Sequence, residues 1–74
     1  MDDKENILRL IRGEDVSAAL KTLPDPNTTN EDFQETVIEV PTFGKVRFTC
    51  RRVKSKHHKS YNVFWNAIAA VKVE

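Results

Sequence analysis

The hydrophobic pattern of the chain changes its period near residue 35, and this change limits the fold more than any other feature. Before it, apolar residues recur at three- and four-residue spacing, which is typical of helices that bury one face. After it, apolar and polar residues alternate, as they do in half-buried strands. The sequence therefore predicts an α+β domain, with one or two short N-terminal helices packed on a small three-stranded antiparallel sheet.

Residues 1–23 are predicted to be helical. Asp2 suits the N-cap of a first helix, and Gly13 offers a stop for it. An acidic pair at 14–15 then favours the first turn of a second helix, which Pro24 ends. The buried stripe of this second helix would contain Val16, Ala19, Leu20 and Leu23. A single helix bent at Gly13 is the alternative.

Residues 24–34 are rich in Pro, Asn, Asp and Thr and predict a loop, with Phe33 as its anchor to the core. Residues 35–74 then predict the antiparallel sheet. Its strands are expected at 35–40, 45–53 and 61–74, with a polar hairpin connection at 54–60.

Two details of the sheet are less regular. The alternation of the second strand breaks at 51–52, which indicates a bulge or the end of the strand. The last segment favours a strand interrupted near 66–67, but residues 62–72 hold three alanines and also suit a C-terminal helix.

The size and composition predict one domain, spanning residues 1–74. Cys50 is the only cysteine, so no disulfide can form within the chain, and a reducing compartment is expected. No apolar run approaches the ~20 residues that a membrane-spanning helix needs. The N-terminal residues are acidic and polar, unlike a signal peptide. We therefore expect a cytoplasmic protein with no membrane partner.

The charges are divided unequally along the chain. Residues 1–40 hold ten Asp and Glu against four Lys and Arg, a net charge of −6. Residues 41–74 hold eight Lys and Arg against Glu74 alone, a net charge of +7. A basic half of this kind indicates an anionic partner.

Catalysis and metal binding find little support in the residue types. Cys50, His57 and His58 are the only soft metal ligands, and their spacing lacks the paired arrangement of structural zinc sites. No carboxylate lies near the two histidines in sequence, so an oriented nucleophile and base cannot be assembled there. We expect no enzymatic activity and no cofactor.

The basic hairpin is the remaining candidate site. Cations neutralise phosphates and aromatic rings stack on bases, so their combination favours nucleic acid, either DNA or RNA. Tyr61 and Trp65 are the expected stacking residues. The expected anion-binding residues are Lys45, Arg47, Arg51, Arg52, Lys54, Lys56 and Lys59.

Other interpretations of the hairpin remain open. Lysines on a hairpin also keep a sheet edge soluble, and the aromatic residues also suit core positions. A different class of function is a phage- or plasmid-type inhibitor or adaptor, whose hairpin meets an acidic surface of a larger host protein. The sequence also leaves a homodimer open.

Overall fold

The structure, a computed structural model, describes residues 6–57 and 60–73, with His57, Ser60 and Tyr61 described by their backbone alone. Its strands form a three-stranded antiparallel sheet in the order β1-β2-β3. The elements are a 3-10 turn Leu8–Leu10, helix α1 Gly13–Leu20, a 3-10 turn Pro26–Thr28, and strands β1 Phe33–Val40, β2 Gly44–His57 and β3 Ser60–Lys72. The predicted α+β class is confirmed.

One face of the sheet, here called the inner face, packs against α1 and the first 3-10 turn. Alternation along β2 directs Phe48 to this face, where its side chain is fully buried. The buried side chains of the core are Ile7, Ile11, Ala19, Val40, Val46, Phe48, Cys50, Trp65 and Ala70. The opposite face, here called the outer face, is not covered by any helix in the described part of the chain.

The turn between β1 and β2 fixes their register. Pro41 follows β1, and the amide of Phe43 donates to the carbonyl of Val40 at 3.0 Å. Gly44 has a φ of +82°, a conformation that L side chains rarely adopt, so glycine suits the start of β2. The resulting pairs run from Val40 with Gly44 to Phe33 with Arg51.

The N-terminal segment differs from the predicted first helix. Residues 1–5 lie outside the described part of the chain, and the remainder forms only the short turn Leu8–Leu10. Gly13 begins α1 instead of ending a helix. The reason is a distant contact: the amide of Ile7 donates to the carbonyl of Ala70 on β3 at 2.7 Å, which draws the chain along that strand.

The C-terminal segment is a strand, so the alternative C-terminal helix is wrong. Its interruption lies at Ile68, close to the expected position at 66–67, because Thr49 pairs with Ala69 while Cys50 pairs with Ala67. Two β2 residues therefore face three β3 residues, which is the geometry of a β-bulge. The bulge or strand end predicted at 51–52 is wrong, because β2 continues to His57 and the extra residue lies on the partner strand.

Asn6 closes the edge of β3 at this bulge. Its side-chain Nδ2 donates to the carbonyl of Ile68 at 3.2 Å, and its Oδ1 accepts from the amide of Ala70 at 3.0 Å. The same Oδ1 accepts from the amide of Leu8 at 3.0 Å. One amide side chain thus satisfies backbone groups of an edge strand that would otherwise be open to pairing.

We expect Asn6→Ala to lower the free energy of unfolding by about 1–3 kcal/mol, because three hydrogen bonds are lost at a partly exposed site. Asn6→Asp keeps the acceptor and loses only the donor, so it should fall between wild type and Asn6→Ala. Urea denaturation followed by Trp65 fluorescence measures both. The exposed loop substitution Asn30→Ala is the control, and equal stability of Asn6→Ala and this control would contradict the role of Asn6.

Candidate nucleic-acid interface

The β2–β3 hairpin extends beyond β1. Strand β1 pairs with β2 only as far as Arg51, whereas β2 and β3 continue to pair as far as His57 with Ser60. The part beyond β1, Val53–His57 with Ser60–Phe64, is here called the hairpin arm. Its five residue pairs give it a length of about 17 Å at ~3.4 Å per residue. The polar segment predicted as a loop at 54–60 is therefore mostly strand.

The predicted cations do not share one surface. Alternation along β2 places Lys45, Arg47 and Arg51 on the outer face, and Arg52, Lys54 and Lys56 on the inner side. Lys59 lies outside the described residues, as does the side chain of Tyr61. The structure therefore divides the predicted site between two sides of the hairpin.

The two outer-face cations nearest the β1–β2 turn lie beside carboxylates of β1. Lys45 pairs in register with Glu39. The Nε of Arg47 lies 4.0 Å from Oε1 of Glu35. Exposed pairs of this kind contribute little to stability, about 0–1 kcal/mol, but they reduce the local positive potential. Lys45 and Arg47 are thus less effective anion contacts than their sequence positions indicate.

Arg52 attaches the preceding loop to the sheet. Its backbone amide donates to the carbonyl of Asp32 at 2.8 Å, and its Nε donates to the carbonyl of Glu31 at 3.2 Å. Its guanidinium also lies 3.9 Å from the carboxylate of Asp32, and its side chain is only 22% exposed. These contacts occupy Arg52 in holding residues 31–32 on β2.

Trp65 belongs to the core. Its residue is 7% exposed, and its indole Nε1 donates to the carbonyl of Pro24 at 2.8 Å. The hydrogen bond ties the loop after α1 to β3, and burial leaves little of the indole face open to a base. Trp65 is positioned as a structural anchor, not as an exposed stacking group.

Three of the predicted cations with described side chains are exposed and have no β1 carboxylate directly opposite them in the strand register. They are Arg51, at the last β1–β2 pair, and Lys54 and Lys56 on the hairpin arm. No Asp or Glu occurs between residues 41 and 73, so both strands of the arm lack acids. The basic character of the chain is therefore concentrated at and beyond the point where β1 ends.

The outer face also exposes apolar side chains that sequence reasoning did not assign to a site. Phe33 was expected to anchor the loop to the core, but it begins β1 and is 53% exposed. Phe33 lies two residues before Glu35, so the alternation of the strand already placed both side chains on the same, outer face. Val37 and Phe64 are exposed on the same face, and Ile68 is exposed at the bulge.

Cys50, the one cysteine, is fully buried on the inner face. Desolvation by burial raises the pKa of its thiol above the ordinary value, which disfavours the nucleophilic thiolate. Its position fits that of a small apolar core residue.

Comparison with protein-family models, curated protein sequences and solved structures gave no match. Among the described residues, no helix has the length and apolar character required to cross a membrane.

We expect Trp65→Phe to lower the free energy of unfolding by about 1–3 kcal/mol, because the carbonyl of Pro24 loses its donor and a small void remains. Urea denaturation followed by far-ultraviolet circular dichroism measures the change. Phe64→Leu, a substitution at the exposed neighbouring residue, is the control and should leave stability nearly unchanged. A Trp65→Phe protein as stable as wild type would contradict the anchoring role.

Proposed function

We propose that this protein is a small, non-enzymatic binding and regulatory protein that contacts nucleic acid through its hairpin arm. The observation that carries the proposal is the extension of the arm beyond β1. It presents Lys54 and Lys56 on a strand pair without acidic residues, and the exposed Arg51 lies at the base of the arm on the opposite face. A region rich in positive charge attracts the phosphate backbone, which supplies most of the affinity of non-specific binding.

The shape of the arm supports the same proposal. A two-stranded antiparallel ribbon can lie along a single strand, and it is also narrow enough for the major groove of B-DNA, which is about 12 Å wide. The arm also carries Lys54 and Lys56 on the same side of one strand, where alternate residues are about 7 Å apart. Lys59, which lies outside the described residues, would add to this set, while Lys45, Arg47 and Arg52 would have smaller roles.

A protein partner is the second candidate, and a specific observation favours it. Val37 and Ile68 are exposed apolar residues that nucleic acid has no evident use for. Exposed apolar patches often mark protein-binding surfaces. In this alternative the protein is a phage- or plasmid-type inhibitor or adaptor that meets an acidic surface of a larger host protein.

We expect the double substitution Lys54→Gln with Lys56→Gln to weaken nucleic-acid binding and to flatten its dependence on salt. Loss of two phosphate contacts should reduce the slope of log K against log salt by about 1.4 for single strands and about 1.8 for duplex DNA. Fluorescence anisotropy of labelled single- and double-stranded DNA and RNA, over a series of salt concentrations, measures both effects.

The control removes the same charge elsewhere, by Lys21→Gln with Lys72→Gln, both exposed and away from the arm. An equal effect of control and arm substitutions would reduce the binding to general charge attraction and contradict a site on the arm. Absence of binding by the wild-type protein at low salt would contradict the proposal as a whole. Recovery of one host protein by the tagged chain, unaffected by nuclease, would then support the second candidate.

A further inference from the structure

Two exposed aromatic rings flank Arg51 on the outer face. Phe33, Arg51 and Asn66 form one row across the three strands, because Phe33 pairs with Arg51 and Arg51 pairs with Asn66. Phe64 lies two residues along β3 from Asn66, diagonally across from Arg51. From spacings of ~4.8 Å between strands and ~3.4 Å per residue, the Cα atoms of Phe33 and Phe64 are about 12 Å apart. These four residues are here called the aromatic row.

The exposure of these rings is not explained by the core. Phe33 is 53% exposed and Phe64 is 40% exposed, whereas Phe48 and Trp65 are buried in the core. Neither Phe33 nor Phe64 packs against the core cluster. A large aromatic ring left in water on an open sheet face keeps apolar area available for a ligand.

We propose that the nucleic acid is single-stranded and that two of its bases stack on Phe33 and Phe64. This inference rests on the nucleic-acid binding proposed above. Every base has a π face, so aromatic side chains on a sheet surface bind splayed-out bases without needing a particular sequence. Arg51, between the rings, neutralises the intervening phosphate, and the Asn66 amide offers a donor and an acceptor to a base edge.

The charges around the aromatic row favour this partner. Arg51 is exposed, and within the described residues it forms no salt bridge. The nearest carboxylate along β1 is Glu35, which lies beside Arg47 at 4.0 Å. The row also adjoins the base of the hairpin arm, since Val53 pairs with Phe64. Lys54 and Lys56 lie on the inner side of the arm, so Arg51 is the cation that a single strand on the rings meets directly.

A duplex fits this surface poorly. Its bases already stack on one another, so their faces are closed to protein side chains, and it would meet only the charges. Stacking on the aromatic row therefore predicts tighter binding of single strands than of a duplex. Charge attraction by the arm alone predicts no such preference.

The test compares the wild-type protein with Phe33→Leu/Phe64→Leu in anisotropy titrations of labelled 15-nucleotide oligo-dT and oligo-U. A DNA duplex of equal length is titrated in parallel. Leucine keeps the apolar character of the surface and removes the π face. Loss of a stacking contact typically weakens binding roughly 5- to 150-fold per base. We expect at least about tenfold weaker single-strand binding by the double variant, with an unchanged salt slope, because no charge is removed.

Two further variants separate stacking from other effects. Arg51→Gln should weaken single-strand binding and lower its salt slope by about 0.7, the value for one phosphate on a single strand. Val37→Ala, an exposed apolar substitution on the same face but outside the aromatic row, should leave binding unchanged. Circular dichroism melting of every variant checks that the fold is retained.

The possible outcomes distinguish this inference from the proposed function. Single-strand binding that Lys54→Gln/Lys56→Gln weakens and Phe33→Leu/Phe64→Leu does not would overturn stacking and leave the arm as the site. Preference for the duplex would overturn it as well. Absence of any nucleic-acid binding would overturn both proposals. Sedimentation equilibrium showing a wild-type dimer that Phe33→Leu/Phe64→Leu dissociates would assign the rings to self-association instead.

Discussion

The pairing of β2 with β3 over the whole length of both strands is the constraint on which the rest of the structure depends. It positions β2, which contributes Phe48 to the core, and it alone holds the arm, which extends beyond the β1–β2 pairing at Phe33. Because side chains alternate, a shift of one residue in this pairing would exchange the inner and outer faces. On β3, Phe64 would then enter the core and Trp65 would lie in water, so the register must be fixed firmly.

The β-bulge and Asn6 fix that register together. The extra residue Ile68 changes the phase of β3 between Ala67 and Ala70, and both alanines face the core as a result. On the free edge of β3, beside this bulge, Asn6 binds the carbonyl of Ile68 and the amide of Ala70. The same contacts draw the N-terminal segment across β3, which places Ile7 and Ile11 in the core.

The sequence predicted correctly those elements whose structure depends on neighbouring residues in the chain. The apolar stripe and acidic first turn of α1 and the alternation of β2 identified their elements. The first helix was expected wrongly because Asn6 bonds to Ala70, 64 residues away, and no local periodicity contains that contact. The connection of the hairpin was predicted to be too long. Its polar residues are held in strand conformation by pairing with the partner strand, which their own composition does not indicate.

In the candidate site too, the composition predicted which residues are present, whereas strand pairing determines which residues lie beside them. Its cations were evident in the sequence, but their neighbours depend on the strand register. Antiparallel pairing sets the acidic strand β1 against the first half of β2, so Glu35 and Glu39 reduce the effect of the cations there. Beyond Arg51 no β1 residue is available to do so. The difference in length between β1 and the hairpin, more than the number of lysines, therefore determines which cations lie opposite a β1 carboxylate and which do not.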